Sequence, residues 1–371
     1  MISRTAKRFF IPGLALLLVA VFVVSTRPKL NMFNGKIMGT TYSVSYASTL
    51  FDHPLDKVSK TVHNALADVD QRMSTYKLDS ELMQVNQAPV GKAVKVSKDI
   101  IDLVIEARKI SELSDGAYDI TVGPLVNLWG FGPAYWHEQN QKGLHNDDEK
   151  PVNAPEFVQW MIDKYPGAVP SPEAIAKARA RVGYQFLKVD PSNATLTRTK
   201  DLFIDLSSIA KGYGVDQAAA ALRSMGIDNY MVEVGGEVLV KGKKHDGEPW
   251  RVAVIGPEMG QHGVSAIVYP GNKALATSGD YLNFFEVEGK RYSHTINPKT
   301  GWPEAKRVAE VAVVADTVAQ ADALATMFMV LGDKEGLVLA NKEGIAARFA
   351  YYTDNGFETV TSEAFKPYLA Q

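Results

Sequence analysis

The sequence predicts an α+β fold, with mixed, largely antiparallel sheets and flanking helices gathered into one domain over residues 35–371. Three observations carry that expectation. Strand-like and helix-like stretches interleave between residues 185 and 331, which fits neither an all-helical nor an all-strand chain. Neighbouring strand stretches are joined by short turns, Gly235-Gly236 being the plainest, whereas a parallel pair needs a long crossover. With 371 residues, 46% of them hydrophobic and 22% charged, the chain can bury a large core, and that balance excludes a disordered protein.

The first thirty residues stand apart. Arg4, Lys7 and Arg8 precede the apolar run Phe9 to Val24, and Arg27 and Lys29 follow it. Basic residues ahead of an apolar stretch keep that end cytoplasmic, and no small-x-small cleavage pattern follows. The expectation is a basic cytoplasmic N-terminus at 1–8, a signal anchor or signal peptide helix at 9–26, a tether at 27–34 and an exported body.

Within the body, Gly35 to Tyr46 alternates as a strand, with Ile37, Tyr42 and Val44 inward. Val58, Val62, Leu66 and Val69 have helical spacing, so Asp56 to Ser74 reads as a helix, and Lys98 to Ser114 reads as a second. Residues 132–172, rich in Pro, Asn, Gly and charge, form an irregular surface insertion. Beyond it come a helix at 173–182, strands at 185–189 and 202–206, and a helix at 213–225. Strands at 230–234, 237–242, 250–255, 265–268, 282–287, 290–296 and 309–314 then lead to a helix at 318–331.

Composition narrows the chemistry. The formal net charge is −2 and no basic block lies outside the N-terminus, which argues against a nucleic-acid surface. The chain has no cysteine, so disulfides, zinc thiolates, thiol catalysis and a lipid-bearing cysteine are excluded.

Three polar clusters interrupt otherwise apolar elements. In Ala321-Asp322-Ala-Leu-Ala-Thr326, the carboxylate and hydroxyl lie four apart on one helical face, within reach of one hard cation. The plainer alternative is an aspartate paired with an arginine or capping a backbone amide. In Asp205-Leu-Ser-Ser-Ile-Ala-Lys211, an apolar stretch ends in a carboxylate, and a lysine opens a helix whose free amides suit an anion; an N-cap with an exposed lysine is the bland counterpart. In Ser293-His294-Thr-Ile-Asn-Pro-Lys-Thr-Gly301, His294 ends a strand and can serve as a general base or as a structural histidine. Tyr76 and the stretch Ala117-Tyr118-Asp119 suit a flat heteroaromatic ligand and equally suit a core. Together the clusters point to a phosphoryl-transfer-type site.

Eight motifs then occur in family order: Met38-Gly-Thr-Thr-Tyr42, Met73-Ser-Thr-Tyr76, Ala117 to Leu125, Asp205 to Tyr213, Glu233-Val-Gly-Gly-Glu237, Ala276 to Tyr281, His294 to Gly301 and Ala321 to Thr326. On these the chain strongly resembles the ApbE-type FAD:protein FMN transferases. The resemblance implies an ApbE-like fold and an enzyme that splits FAD, attaches FMN to a Thr or Ser hydroxyl of a target protein and releases AMP. It places Met38, Tyr76, Ala117, Tyr118, Asp119, Asp205, Lys211 and His294 at flavin-nucleotide positions. Ser208, Asp322 and Thr326 fall at Mg2+ positions, with Ser208 acting through its carbonyl. His294 and Asp205 would carry catalysis. The implied partners are FAD and an acceptor, a membrane-associated redox subunit, met in the periplasm from an inner-membrane anchor. An FAD pyrophosphatase delivering FMN to water and a non-catalytic flavin carrier are the alternatives.

Overall fold

The chain is described here by a computed structural model that places residues 28–49, 53–133, 169–256, 263–280, 284–287, 290–304, 307–354 and 356–370. The expected N-terminus at 1–8, the anchor at 9–26 and the insertion residues 134–168 lie outside the described residues. No helix among the described residues is long and apolar enough to cross a membrane.

In chain order the strands begin with β1 (Lys29–Ile37), β2 (Thr40–Ser48), β3 (Ala93–Lys95), β4 (Leu187–Asp190) and β5 (Thr195–Arg198). Next come β6 (Tyr230–Val234), β7 (Glu237–Lys241), β8 (Val252–Ile255), β9 (Val264–Val268) and β10 (Ala274–Gly279). The last are β11 (Phe284–Val287), β12 (Lys290–Ser293), β13 (Val308–Ala315), β14 (Ala346–Thr353) and β15 (Gly356–Thr361). The helices are α1 (Leu55–Met73), α2 (Glu81–Gln87), α3 (Lys98–Leu113), α4 (Gly123–Leu128), α5 (Pro172–Arg179), α6 (Ala210–Ser224) and α7 (Val318–Glu343).

An eight-stranded sheet in the order β1-β2-β6-β7-β10-β13-β14-β15 forms the backbone of the fold, and every pairing in it is antiparallel. Alternation along its strands separates two cores. Val44, Val232, Val311 and Val313 face α1, α6 and α7, where Val58, Val62, Leu66 and Val69 are fully buried. Val238, Leu275, Ala312 and Val314 face the opposite way and are covered by Trp250 and the β8–β9 hairpin. Removing Leu66 to Ala should cost about 2–5 kcal/mol, because the surrounding side chains cannot collapse fully into the space.

The strand expected at 35–46 is a hairpin. Met38 and Gly39 turn the chain with φ of 52° and 73°, and residues 29–34, expected as a tether, pair with β2 as the first half of β1. Leu202–Leu206 is not a strand: Asn86 clamps the Ile204 backbone with hydrogen bonds of 2.7 and 2.9 Å, and Asp205 N–H donates to the Ile120 carbonyl at 2.7 Å. Those partners leave only a single bridge, Phe203 to Val122, available for pairing. The last helix reaches its expected end at 331, where Gly332, with φ of 82°, breaks the geometry, and a second helical segment continues to Glu343.

Candidate active site

Helices α6 and α7 meet at the point that builds the site. A Cβ at Gly212 would stand 2.4 Å from the Val318 carbonyl oxygen, so only glycine allows this approach. The closeness lets Gly212 N–H donate to Asp322 Oδ2 at 3.0 Å instead of to the Ser208 carbonyl four residues back. Among the described residues, no backbone amide donates to that Ser208 carbonyl. The N-terminus of α7 is fixed by Thr317, which caps Gln320 at 3.2 Å, and by Asp216, which accepts from Val318 and Ala319 at 3.0 Å each. Asp322 and Thr326 therefore project from the first turns of a tethered helix.

These groups open into a cavity of about 1070 Å³ that Tyr76, Ala117, Tyr118, Asp119, Asp205, Ser208, Lys211, His294, Asp322 and Thr326 all line. Met38 is not on its wall; it sits at the β1–β2 turn with its sulfur packed beside Gly214 of α6. The carboxylate of Asp119 is engaged by its own loop, accepting from Thr121 N–H at 2.8 Å, Thr121 Oγ1 at 2.7 Å and Tyr184 N–H at 2.8 Å. It braces the loop that carries Tyr118, whose hydroxyl accepts from Ser208 Oγ at 3.0 Å. His294 follows β12, edge-on to Phe131 with ring centroids 6.3 Å apart.

The electrostatics are lopsided. Asp205, Glu237 and Asp322 are 6%, 1% and 4% exposed, and among the described residues lining the cavity Lys211 supplies the one ammonium. Lys211 donates to Glu237 Oε1 and to Asp322 Oδ1, the latter at 3.4 Å. Burial works against the Lys211 charge, but the Asp322 and Glu237 carboxylates outweigh it and hold its pKa above the ordinary value. Burial pushes Glu237 up to about 7 despite Lys211, and also raises Asp205. Surplus buried carboxylate is costly unless a cation joins it.

The residues present fit a hard divalent cation. The donors are all oxygen: the Asp322 carboxylate, the Thr326 hydroxyl and the Ser208 carbonyl left without its helical partner. No group of three or more His, Cys, Asp or Glu among the described residues makes a metal cluster, so any cation here would complete its shell with water or substrate oxygens. Glu237 lies outside the site residues that the sequence predicts. Its motif, Glu233-Val-Gly-Gly-Glu237, was visible, but nothing in it reveals that the second glutamate turns inward to Lys211.

Comparison with known proteins identifies the family. The ApbE family model matches residues 38–349. A FAD:protein FMN transferase of Haemophilus influenzae is 40% identical over 347 residues, 91% of this chain and 91% of the relative. One from Vibrio cholerae is 39% identical over 338 residues, 91% of this chain and 92% of the relative. Among solved structures, the flavin transferase ApbE from Vibrio cholerae superposes with a TM-score of 0.77 at 38% identity, covering 92% of this chain and 100% of that one. The apo flavinyl transferase ApbE of Pseudomonas stutzeri gives 0.77 at 36% identity, covering 92% and 97%. A family model that spans most of the chain, relatives similar along nearly their whole length and a shared fold place this chain in the ApbE family.

Proposed function

We propose that this protein is an FAD:protein FMN transferase that uses Mg2+ and attaches FMN through a phosphoester bond to a threonine or serine of an acceptor protein. The observation that carries the reading is the cavity in which Asp322, Thr326, Ser208 and Lys211 converge beside Tyr118 and His294, in a chain whose relatives bear that activity.

Asp322, Thr326 and the Ser208 carbonyl would hold the cation, which when bound supplies charge neutralisation at the pyrophosphate. Lys211 is fixed by its two carboxylates at the mouth of α6 and presents a point charge to a phosphate oxygen. The acceptor hydroxyl oxygen attacks the FMN-side phosphorus, forming the new P–O bond. The bond from that phosphorus to the bridging oxygen breaks, and AMP leaves with the electron pair. His294 takes the hydroxyl proton. Asp205, held by Ser207 N–H at 2.9 Å, orients a substrate group or the imidazole. Tyr76 and Tyr118, both with pKa raised chiefly by burial, stay protonated and offer aromatic walls to the nucleotide.

We further place the catalytic domain in the periplasm, held to the bacterial inner membrane by the apolar run Phe9 to Val24 with its basic flanks, where a membrane-associated redox subunit is the acceptor.

The test incubates the protein with FAD, Mg2+ and a peptide bearing the Asp-Gly-Ala-Thr type of site that the family resemblance implies, following the peptide by mass spectrometry and the nucleotides by chromatography. An FMN-sized mass gain on threonine with AMP release, abolished by EDTA, establishes the transferase. FMN and AMP with an unmodified peptide would point to a pyrophosphatase, and intact bound FAD to a carrier.

A further inference from the structure

The eight-stranded sheet has a seam. β7 and β10 share only two register pairs, Ala274 with Leu239 and Leu275 with Val238, after which β10 continues to Gly279 paired with β13 alone. The Asp280 N–H turns to the Ala309 carbonyl of β13 at 3.1 Å, and the Thr277 N–H turns the other way, to Glu237 Oε2 at 3.4 Å. Since the amide and carbonyl of one antiparallel residue point to the same side, the Thr277 carbonyl and both backbone groups of Gly279 face the seam. Among the described residues none of these three has a backbone partner. Thr277, Ser278 and Gly279 line the cavity, and so do residues from both faces of the sheet: Lys211 and Asp322 on the helical side, Arg251 and Val252 on the hairpin side.

The seam lies one carboxylate from the reacting centre. Glu237 accepts from Thr277 N–H with one oxygen and from Lys211 with the other, and Lys211 in turn reaches Asp322. A threonine hydroxyl stands only two bonds from its own Cα, so an acceptor must bring its backbone into the cavity to deliver that oxygen. Backbone entering a buried site needs partners for its amides and carbonyls. An open strand edge supplies them, and strand addition is a general way to bind an extended polypeptide.

We propose that the acceptor polypeptide enters as an extended segment and adds a strand to the open edge of β10 at Thr277–Gly279. This rests on the transferase reading above. The pleat sends alternate acceptor side chains to opposite faces of the sheet. One set, including the modified threonine, faces Lys211, Asp322 and His294; the other faces Arg251 and Val252.

The test is a backbone scan of the acceptor peptide from the transfer assay, with a single N-methyl group placed at each amide around the threonine and the full-length enzyme left unaltered. Amides that face β10 should each lose on the order of tenfold in transfer rate when methylated, and the intervening ones should not, giving a period of two. Tolerance at every position, or losses without alternation, overturns the proposal. Hydrogen exchange supplies an independent readout: the Gly279 amide should slow when acceptor peptide joins FAD and the enzyme. Full slowing with FAD alone would assign the edge to the nucleotide and overturn it also. Failure of the unmethylated peptide to gain FMN mass while FAD is cleaved would instead remove the transferase reading, and this one with it.

Discussion

The two faces of the central sheet each bury charge, and they do so differently. On the helical face, Glu237 and Asp322 share Lys211, and the buried Asp205 lines the same cavity. On the hairpin face, Glu310 and Arg348 are 1% and 3% exposed and pair at 3.5 Å, and Arg348 also donates to the Ser265 carbonyl at 3.2 Å. Glu310 reaches the cavity wall and keeps Oε2 without a partner among the described residues. The Glu310–Arg348 pair balances one charge against one, and breaking it leaves an uncompensated charge. A cluster with surplus carboxylate is incomplete by itself and ready for a positively charged visitor. The charge imbalance, more than the burial, distinguishes the helical side of the cavity.

The largest separation of the two faces should come from Asp322→Ala. Transfer should fall on the order of 10⁴-fold, about 5.5 kcal/mol of transition-state stabilisation, while the protein still folds. Unchanged turnover would remove Asp322 from the cation site. Arg348→Met should do the reverse, costing about 3–5 kcal/mol of folding stability by stranding the buried Glu310 charge. A melting temperature equal to wild type would show that the pair is not what holds the hairpin face.

His294→Ala should slow transfer on the order of 10²-fold while FAD still binds, as measured by flavin fluorescence titration. A wild-type rate would exclude the imidazole as base. Mg2+ at a hundred times its dissociation constant should stabilise the wild-type fold by about 2.7 kcal/mol and leave Asp322→Ala unmoved, read by thermal unfolding with and without EDTA. Equal stabilisation of both would place the cation elsewhere.

The smallest effect concerns pH. Burial pushes the Glu310 carboxyl up to about 7, with Arg348 opposing it. The folded state therefore holds its proton more tightly than the unfolded chain, so stability should be greatest below the ordinary glutamate range near 4.5 and decline as pH rises towards 7. Glu310→Gln should flatten that slope. An identical pH profile in the variant would show that Glu310 is ionised throughout.

How far the molecule was legible from its sequence depended on whether neighbours in the chain are neighbours in space. The spacing of Val58, Val62, Leu66 and Val69 located α1 because one helix face is a local pattern. Asp322 and Thr326 were visible for the same reason, lying one turn apart on α7. Leu202–Leu206 looked like a strand because it is apolar, yet its partners are the Asn86 side chain and Ile120, which no local pattern announces. β10, β14 and β15 were missed because small and polar residues such as Ala274, Thr277 and Thr359 dilute the alternation. The approach of Gly212 to Val318 and the turn of Glu237 towards Lys211 depend on tertiary contacts across the domain.

One consequence concerns reach. Since β1 is already paired with β2 at Lys29, five peptide steps separate the last apolar residue of the N-terminal run, Val24, from the sheet. Those steps span at most about 18 Å when fully drawn out. With the run held in a bilayer, as proposed above, the domain would move on a leash of no more than that length. The enzyme would not sweep the compartment for its targets but serve those that drift along the same membrane, in a thin layer beside the lipid headgroups.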